Sequence, residues 1–214
     1  PRVKKKRPKE QPKELRRRLD ADVARALILD VTEKRLAAVG PSGIRLQEVA
    51  REAGVSHPTV LHHFGSREHL VKAVIARSLK AINESLIVAI NASAGDETKL
   101  ETILENVAVA LESSGNARVM MWLALEGHRI DPAEAHLADV VDAAHALRLS
   151  RREGKPIPSR DDTARSIVLT TLALLATAVM GEPIFENAGL VGRARDPKTF
   201  RTWLAKLLIA HLDA

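Results

Sequence analysis

Along this chain apolar residues recur every three to four positions, in one segment after another. Ala24, Leu27, Ile28 and Val31 share one side of a first helix, and Leu100, Ile103, Leu104, Val107, Ala108 and Leu111 do the same in another. Their spacing is the 3.6-residue period of an amphipathic helix rather than the strict alternation of a strand. Ser66 precedes Arg67-Glu68, Asp131-Pro132 leads to Glu134, Ser159 leads to Asp162, and Asp196 precedes Pro197. Each places a side-chain oxygen where the first free N–H groups of a helix need an acceptor. The pattern predicts an all-α chain of about nine helices, near 20–39, 46–53, 57–63, 67–92, 98–113, 116–129, 132–152, 160–180 and 197–212.

The informative stretch is LQEVAREAGVSHPTVLHHF, Leu46 to Phe64. A short helix with Val49 and Ala50 inward meets Gly54, whose missing Cβ permits the positive φ of a tight turn. Ser56 then caps a second short helix that has Pro58 in its first turn. Val49, Val55 and Val60 pin the two together, and small Ala50 lets them cross closely. This is the spacing of a helix-turn-helix. The second helix is left to project His57, Thr59, His62 and His63, with Ser56 at its start, where free N–H groups suit a phosphate. A helical hairpin of purely structural use has the same outline.

The longer run from Ala21 to Ala76 narrows the reading. EVAREAGVSHPTVLHHFGSREHLVKAVI, with its His63-Phe64-x-Ser66-Arg67-Glu68-x-Leu70 segment entering a long fourth helix, resembles the tetracycline-repressor-like (TetR) family. The resemblance implies an N-terminal three-helix DNA-binding domain followed by a C-terminal helical bundle. It also implies a dimeric regulator whose C-terminal domain takes an inducer. This chain departs from the family's usual pattern at His57-Pro58, at Leu61, where a tyrosine is usual, and at Ile44-Arg45, where threonines are. Thr59, His57 and His62 are the candidates for the groove-facing surface, and Arg45, Ser56, His63 and Lys72 for the phosphates flanking it, since register is fixed by backbone contacts and sequence is read at base edges. The alternative readings are a hydrogen-bonded His63 beneath Phe64 and a solvated helix charge at Lys72.

Charge adds an arm to this picture. Residues 1–18 hold ten bases and two acids, so the chain's net +6 divides into +8 there and −2 in the remainder. Interrupted by Pro8 and Pro12, that segment is expected to be disordered alone and to seek a polyanion; a solubilising end has the same composition. The implied division is a basic arm at 1–18, a DNA-binding domain at 19–66, and a ligand-binding and dimerisation domain at 67–214.

In the second domain, the helix at 116–129 carries Val119, Met120, Met121, Trp122, Leu123 and Leu125, apolar nearly all round, which calls for burial or a cavity. Met121 and Trp122 with Leu104, Val107, Leu125, Leu172, Leu175 and Phe185 are the candidate wall of a pocket for a small apolar effector; filling a core would use the same residues. Glu126, His128, Arg129, His145 and Arg148 are possible polar anchors, although surface exposure is the commoner fate of such side chains. The segment 181–196 is long for a connection and suggests an extra turn or a lid around Ile184 and Phe185. Ser166 to Met180 has no charge on any face and, with Phe200, Trp203, Leu204, Leu207 and Leu208, predicts a four-helix seam between two copies of the chain.

Composition limits the alternatives. With no cysteine there is no disulfide, thiol nucleophile or cysteine-ligated metal. His62, His63 and His69 lack a carboxylate to complete a metal geometry, so neither metal nor cofactor is expected. No G-x-S-x-G, Walker loop or H-E-x-x-H is present, so an enzyme is not expected. The longest uncharged run, sixteen residues from Ser166 to Gly181, is shorter than the roughly 20 that span a bilayer, and the basic start lacks an apolar stretch after it, so a cytoplasmic location is expected. The reading that results is a dimeric repressor that binds a near-palindromic operator and releases it when an apolar effector binds. An effector-independent DNA-architectural protein is the alternative.

Overall fold

A computed structural model describes residues 13–93, 98–113, 115–129, 131, 136–150 and 157–213. All regular structure among them is helical: α1 (Lys13–Val39), α2 (Leu46–Glu52), α3 (His57–Phe64), α4 (Arg67–Ser93), α5 (Thr98–Ser113), α6 (Asn116–Leu125), α7 (Leu137–Ser150), α8 (Arg160–Asn187) and α9 (Pro197–Asp213), with 3-10 turns at Pro41–Gly43 and Gly192–Arg195. The chain divides into two compact units between Val71 and Lys72.

In the first unit, α1, α2 and α3 pack on one another around Ile28, Leu36, Ile44, Val49, Val60, Phe64 and Leu70, all buried. The hydroxyl of buried Thr32 donates to the Ile28 carbonyl at 2.7 Å, so the only polar side chain in that centre is satisfied within its own helix. The first helix begins at Lys13, seven residues before its expected start, and residues 13–18 are therefore helical rather than disordered. The reason is local: beyond Pro12 the run Lys-Glu-Leu-Arg-Arg-Arg contains only strong helix formers. The rest of the arm, residues 1–12, lies outside the described residues.

The second unit is built on α5, which packs against α6, α8 and α9, while α7 packs on α8. Leu104, Ala108 and Leu111 of α5 meet Ala117, Leu174, Leu204, Ala205 and Leu208 in a buried centre. Buried Arg201 crosses from α9 to α5, donating through Nε to Glu105 at 2.7 Å and through Nη1 to Glu112 at 3.3 Å.

Other expected boundaries differ as well. α6 stops at Leu125, not 129, because Gly127 (φ 75°) lets the His128 N–H return to the Leu123 carbonyl at 2.8 Å and the Gly127 N–H to Ala124 at 3.1 Å, a Schellman closure. The helix expected at 132–152 is described from Leu137 to Ser150; residues 132–135, with the proposed Asp131-Pro132 start, and 151–152 lie largely outside the described residues. α8 continues past Met180 to Asn187 although Pro183 lies inside it. An interior proline costs about 3 kcal/mol, but Phe185 is buried and its ring centroid lies 5.4 Å from that of Phe200, an anchor that holds the last turn in place. Ile184 and Phe185 are thus helical and form no lid, and only the short turn at Gly192–Arg195 remains of the expected connection. At 28 residues α8 is also long and apolar enough, by length and composition, to cross a membrane. The sixteen-residue uncharged run understated its length, because the helix extends through the charged residues at both ends.

Candidate nucleic-acid interface

The turn between α2 and α3 follows from three residues. Gly54 (φ 67°) closes α2 by a Schellman motif, with the Val55 N–H on the Ala50 carbonyl at 3.0 Å and its own N–H on Arg51 at 3.3 Å. Ser56 then accepts the Thr59 N–H on its hydroxyl at 3.2 Å and starts α3, while Pro58, in the first turn, has no N–H to leave unpaired. Arg35 of α1 holds the other side of the motif, paired with Glu48 and, at 2.6 Å, with Glu52 of α2. Arg25 lies over the Phe64 ring, 5.2 Å from its centroid, and covers the end of α3.

With Val60 and Phe64 buried, the outward side of α3 follows from helical geometry at about 100° per residue. His62 stands opposite the core and is exposed, with half-buried Thr59 beside it and half-buried His63 on one flank. His57 does not share their face. It is half-buried at the first position of the helix, about 140° round from His62, so the expected grouping of His57, Thr59 and His62 on one surface is corrected to Thr59 and His62. The Thr59 hydroxyl is within 2.8 Å of the Ser56 hydroxyl, which ties this candidate reader to the helix cap. Arg45, at the N-cap of α2, is exposed, and its guanidinium donates to the Ser42 carbonyl at 2.9 Å, a contact that orients it without using its other donors. Lys72 is half-buried on α4.

Burial holds the His63 imidazole below its ordinary 6.5, helped by the neighbouring His62 and Arg25 and opposed by Asp22. Ser66 caps α4 through the His69 N–H at 3.2 Å. His69, exposed on the first turn of α4, leans over the α3–α4 connection: its Nδ1 lies 3.8 Å from where a Cβ on Gly65 would sit. Sequence reasoning considered His69 only as a metal ligand and left it out of the DNA face. Among the described residues no cluster of three or more histidine and acidic side chains is placed to hold a metal ion.

The candidate pocket wall in the second unit does not come together as one surface. Leu104 and Phe185 are buried, and Val107, Leu175 and Trp122 are half-buried, but Leu125 is 81% exposed, Leu172 60% and Met121 37%. On α6, Ala117, Val119 and Leu123 are buried and Met120 packs against the core, while Met121 and Leu125 are exposed. A groove of about 360 Å³ lies elsewhere, between α4 and α5, lined by Ala81, Ile82, Ser85, Leu86, Ala89, Ile103, Asn106, Val107 and Ala110. Only Val107 belongs to both sets. Of the possible polar anchors, Arg148 and His145 are engaged: Arg148 donates to Asp162 at 2.8 Å and to Thr163 at 2.9 Å, and His145 Nδ1 is 3.2 Å from the Thr163 hydroxyl. Arg148 and His211, 3.1 Å away, together hold the Asp162 carboxyl below its usual range, Arg148 contributing most.

Residues 28–74 match the model of the bacterial regulatory proteins of the tetR family. The chain is 28% identical over 102 residues to the HTH-type transcriptional regulator BetI of Rhizobium meliloti, covering 48% of this chain and 50% of that one. It is 30% identical over 132 residues to the regulatory protein RaaS of Mycobacterium tuberculosis, covering 58% and 56%. It thus spans about half the length of the curated relatives it matches. Among solved structures, a tetR-family regulator from Mesorhizobium loti superposes with a TM-score of 0.57 at 18% identity, over 90% of this chain and 96% of that one. FadR from Bacillus subtilis, solved in complex with stearoyl-CoA, does so with a TM-score of 0.58 at 14% identity, over 86% and 97%. These likenesses extend the shared fold across both units, while the match to the tetR family of bacterial regulatory proteins is carried by the helix-turn-helix domain at residues 28–74.

Proposed function

We propose that this chain is a DNA-binding transcriptional regulator, not an enzyme, that works in the cytoplasm as a homodimer and represses from a near-palindromic operator. The observation that carries the reading is the outward side of α3, where Thr59 and His62 stand clear of the core on a helix fixed by Gly54, Ser56 and Phe64. Thr59 and His62 read base edges, while Arg45, Ser56, His63 and Lys72 engage phosphates. His57 serves at the margin of that surface. The basic arm adds further phosphate contacts.

The homodimer rests on α8 and α9. Val168, Leu169, Leu172, Met180 and Ile184 are exposed along α8, and Trp203 and Leu207 on α9 packed beside it. The hydroxyls of Ser166, Thr170, Thr171 and Thr177 each donate to the carbonyl four residues earlier, so the surface offers few unpaired donors and suits burial against a second copy. Release is assigned to a small apolar effector held in the second unit, at the α4–α5 groove and the neighbouring Val107, Leu104 and Leu175. FadR, which shares the fold, was solved with stearoyl-CoA, a ligand whose long acyl chain is apolar although its head group is charged.

The test compares DNA binding by the wild-type chain, Thr59→Ala/His62→Ala and Arg45→Ala, using an operator obtained by selection from random duplexes. At pH 8 the double variant should lose about 1–3 kcal/mol of operator affinity per lost base contact and little on random DNA, whereas Arg45→Ala should weaken both alike. Equal losses on both DNAs for the double variant remove Thr59 and His62 from the reading surface.

A further inference from the structure

Four of the chain's eight histidines fall between positions 57 and 69, and three of them border the end of the helix that the DNA-binding reading places in the groove. His62 and His63 occupy the last turn of α3, with ring centroids 5.7 Å apart. His69 follows on the first turn of α4, leaning over Gly65. We propose that binding of duplex DNA by this chain takes up protons at His62, His63 and His69, so that affinity rises as pH falls through the imidazole range, and that His69 is itself a phosphate contact. The proposal rests on the DNA-binding reading above.

The argument is electrostatic. Burial, and then the His62 ring 5.7 Å away, oppose the charging of His63. The other groups around His63 only partly relieve that. From α1 it is faced by Asp22, which favours its charge, and by Arg25, which opposes it. On α2, Glu48 and Glu52 are taken by Arg35, and Arg51 is exposed. On α4, Arg67 is paired with Glu68 at 2.9 Å, beside His69. Among the described residues, Asp22 is the acid that favours the charge of His63 in the free protein. Duplex DNA brings about one phosphate charge per 1.7 Å of its axis and reverses the balance, favouring the cationic form of every imidazole it touches. A group whose pKa is raised on binding strengthens the complex fully below its free value, and that gain is lost as pH rises through the bound value. Affinity must therefore fall with rising pH. A neutral imidazole that merely donates one hydrogen bond to a phosphate would give no such slope.

The test uses the full chain and a 30-base-pair duplex of random sequence, titrated by fluorescence anisotropy at pH 6 and pH 8 at one ionic strength. Each proton taken up changes the binding constant by about tenfold per pH unit between its free and bound values, so the expected Kd is about ten- to a hundredfold lower at pH 6. His62→Gln/His69→Gln, both at exposed positions, should cut that ratio to about threefold or less, while His211→Gln on α9 keeps the wild-type ratio. Calorimetry of the wild-type chain at pH 6.5 in buffers of different ionisation heat should show uptake of about one to three protons per bound copy. A ratio below about twofold, no proton uptake, or a ratio that survives His62→Gln/His69→Gln overturns the proposal and leaves DNA binding standing. Absence of binding at both pH values overturns the DNA reading and the proposal with it.

Discussion

The two units dispose of their apolar residues differently. In the first, Ile28, Val49, Val60 and Leu70 close a core at zero exposure, Val23, Leu27, Val39 and Leu61 are the large apolar side chains left exposed among the described residues, and the outward side of α3 carries Thr59 and His62. In the second, a buried centre forms around α5, yet Val168, Leu169, Leu172, Trp203 and Leu207 remain open on α8 and α9. A small unit can close its own core and present chemistry, whereas a surplus of exposed apolar surface is the mark of a unit completed by something else. The same contrast holds for the cross-helix ion pairs. Arg35 of the first unit and Arg201 of the second each join two glutamates, but the Arg201 side chain is only 6% exposed, against 18% for Arg35.

The contrast breaks most decisively at the open surface of α8 and α9. Leu172→Asp with Trp203→Asp should raise the dimer dissociation constant by at least about a hundredfold, since each charge would have to be buried unpaired. Sedimentation of wild type and variant at equal concentration measures this, and a variant that stays dimeric removes the assigned seam. Next come the two ion-pair clamps. Glu105→Ala should cost the second unit about 1.5–3 kcal/mol, because it strands a buried guanidinium nitrogen. Glu48→Ala should cost the first unit under about 1 kcal/mol, because Arg35 keeps Glu52 and the pair is partly solvated. Both tryptophans, Trp122 and Trp203, lie in the second unit, so urea unfolding followed by fluorescence isolates it, and circular dichroism follows both. Equal costs would end the contrast between the clamps.

The smallest expected effect concerns acid. The Asp162 carboxyl lies below its usual 3.8, chiefly through the Arg148 hydrogen bond and then His211. A depressed folded pKa contributes stability that is present above the unfolded value and lost as pH falls through the folded one. The melting temperature of Asp162→Asn should therefore lie below wild type at pH 6, and the gap should close below about pH 4. A gap that persists unchanged in acid assigns the loss to packing instead.

Much of the first unit could be read in order from the chain, because its structure is set locally. Gly54, Ser56 and Pro58 fix a turn and a cap within a few residues, and the apolar positions 49, 50, 55 and 60 leave one way to fold over it. The misplacement of His57 shows where local reading ends, since a residue at the first turn of a short helix has its exposure set by what packs beside it. In the second unit the pattern fixed the helices but not their partners. Leu104 and Leu172 are equally apolar in the sequence, and one is buried while the other is open. Of the α4–α5 groove only Val107 was legible as a pocket residue, because its α4 side is lined in part by Ala81, Ser85 and Ala89, residues that signal nothing until a second helix is laid against them.

The sequence by itself determined the all-α class, the helix-turn-helix with its resemblance to the tetR family, and the basic character of residues 1–18. Each of these depends on period, capping and composition, which act over a few residues. Only the tertiary structure decided that α8 runs through Pro183, that His69 leans over the α3–α4 connection, and which apolar side chains are left open. These depend on contacts between residues far apart in sequence: Phe185 against Phe200 outweighs an interior proline, and α5 buries Leu174 while Leu172, less than a turn away on the same helix, stays in the open.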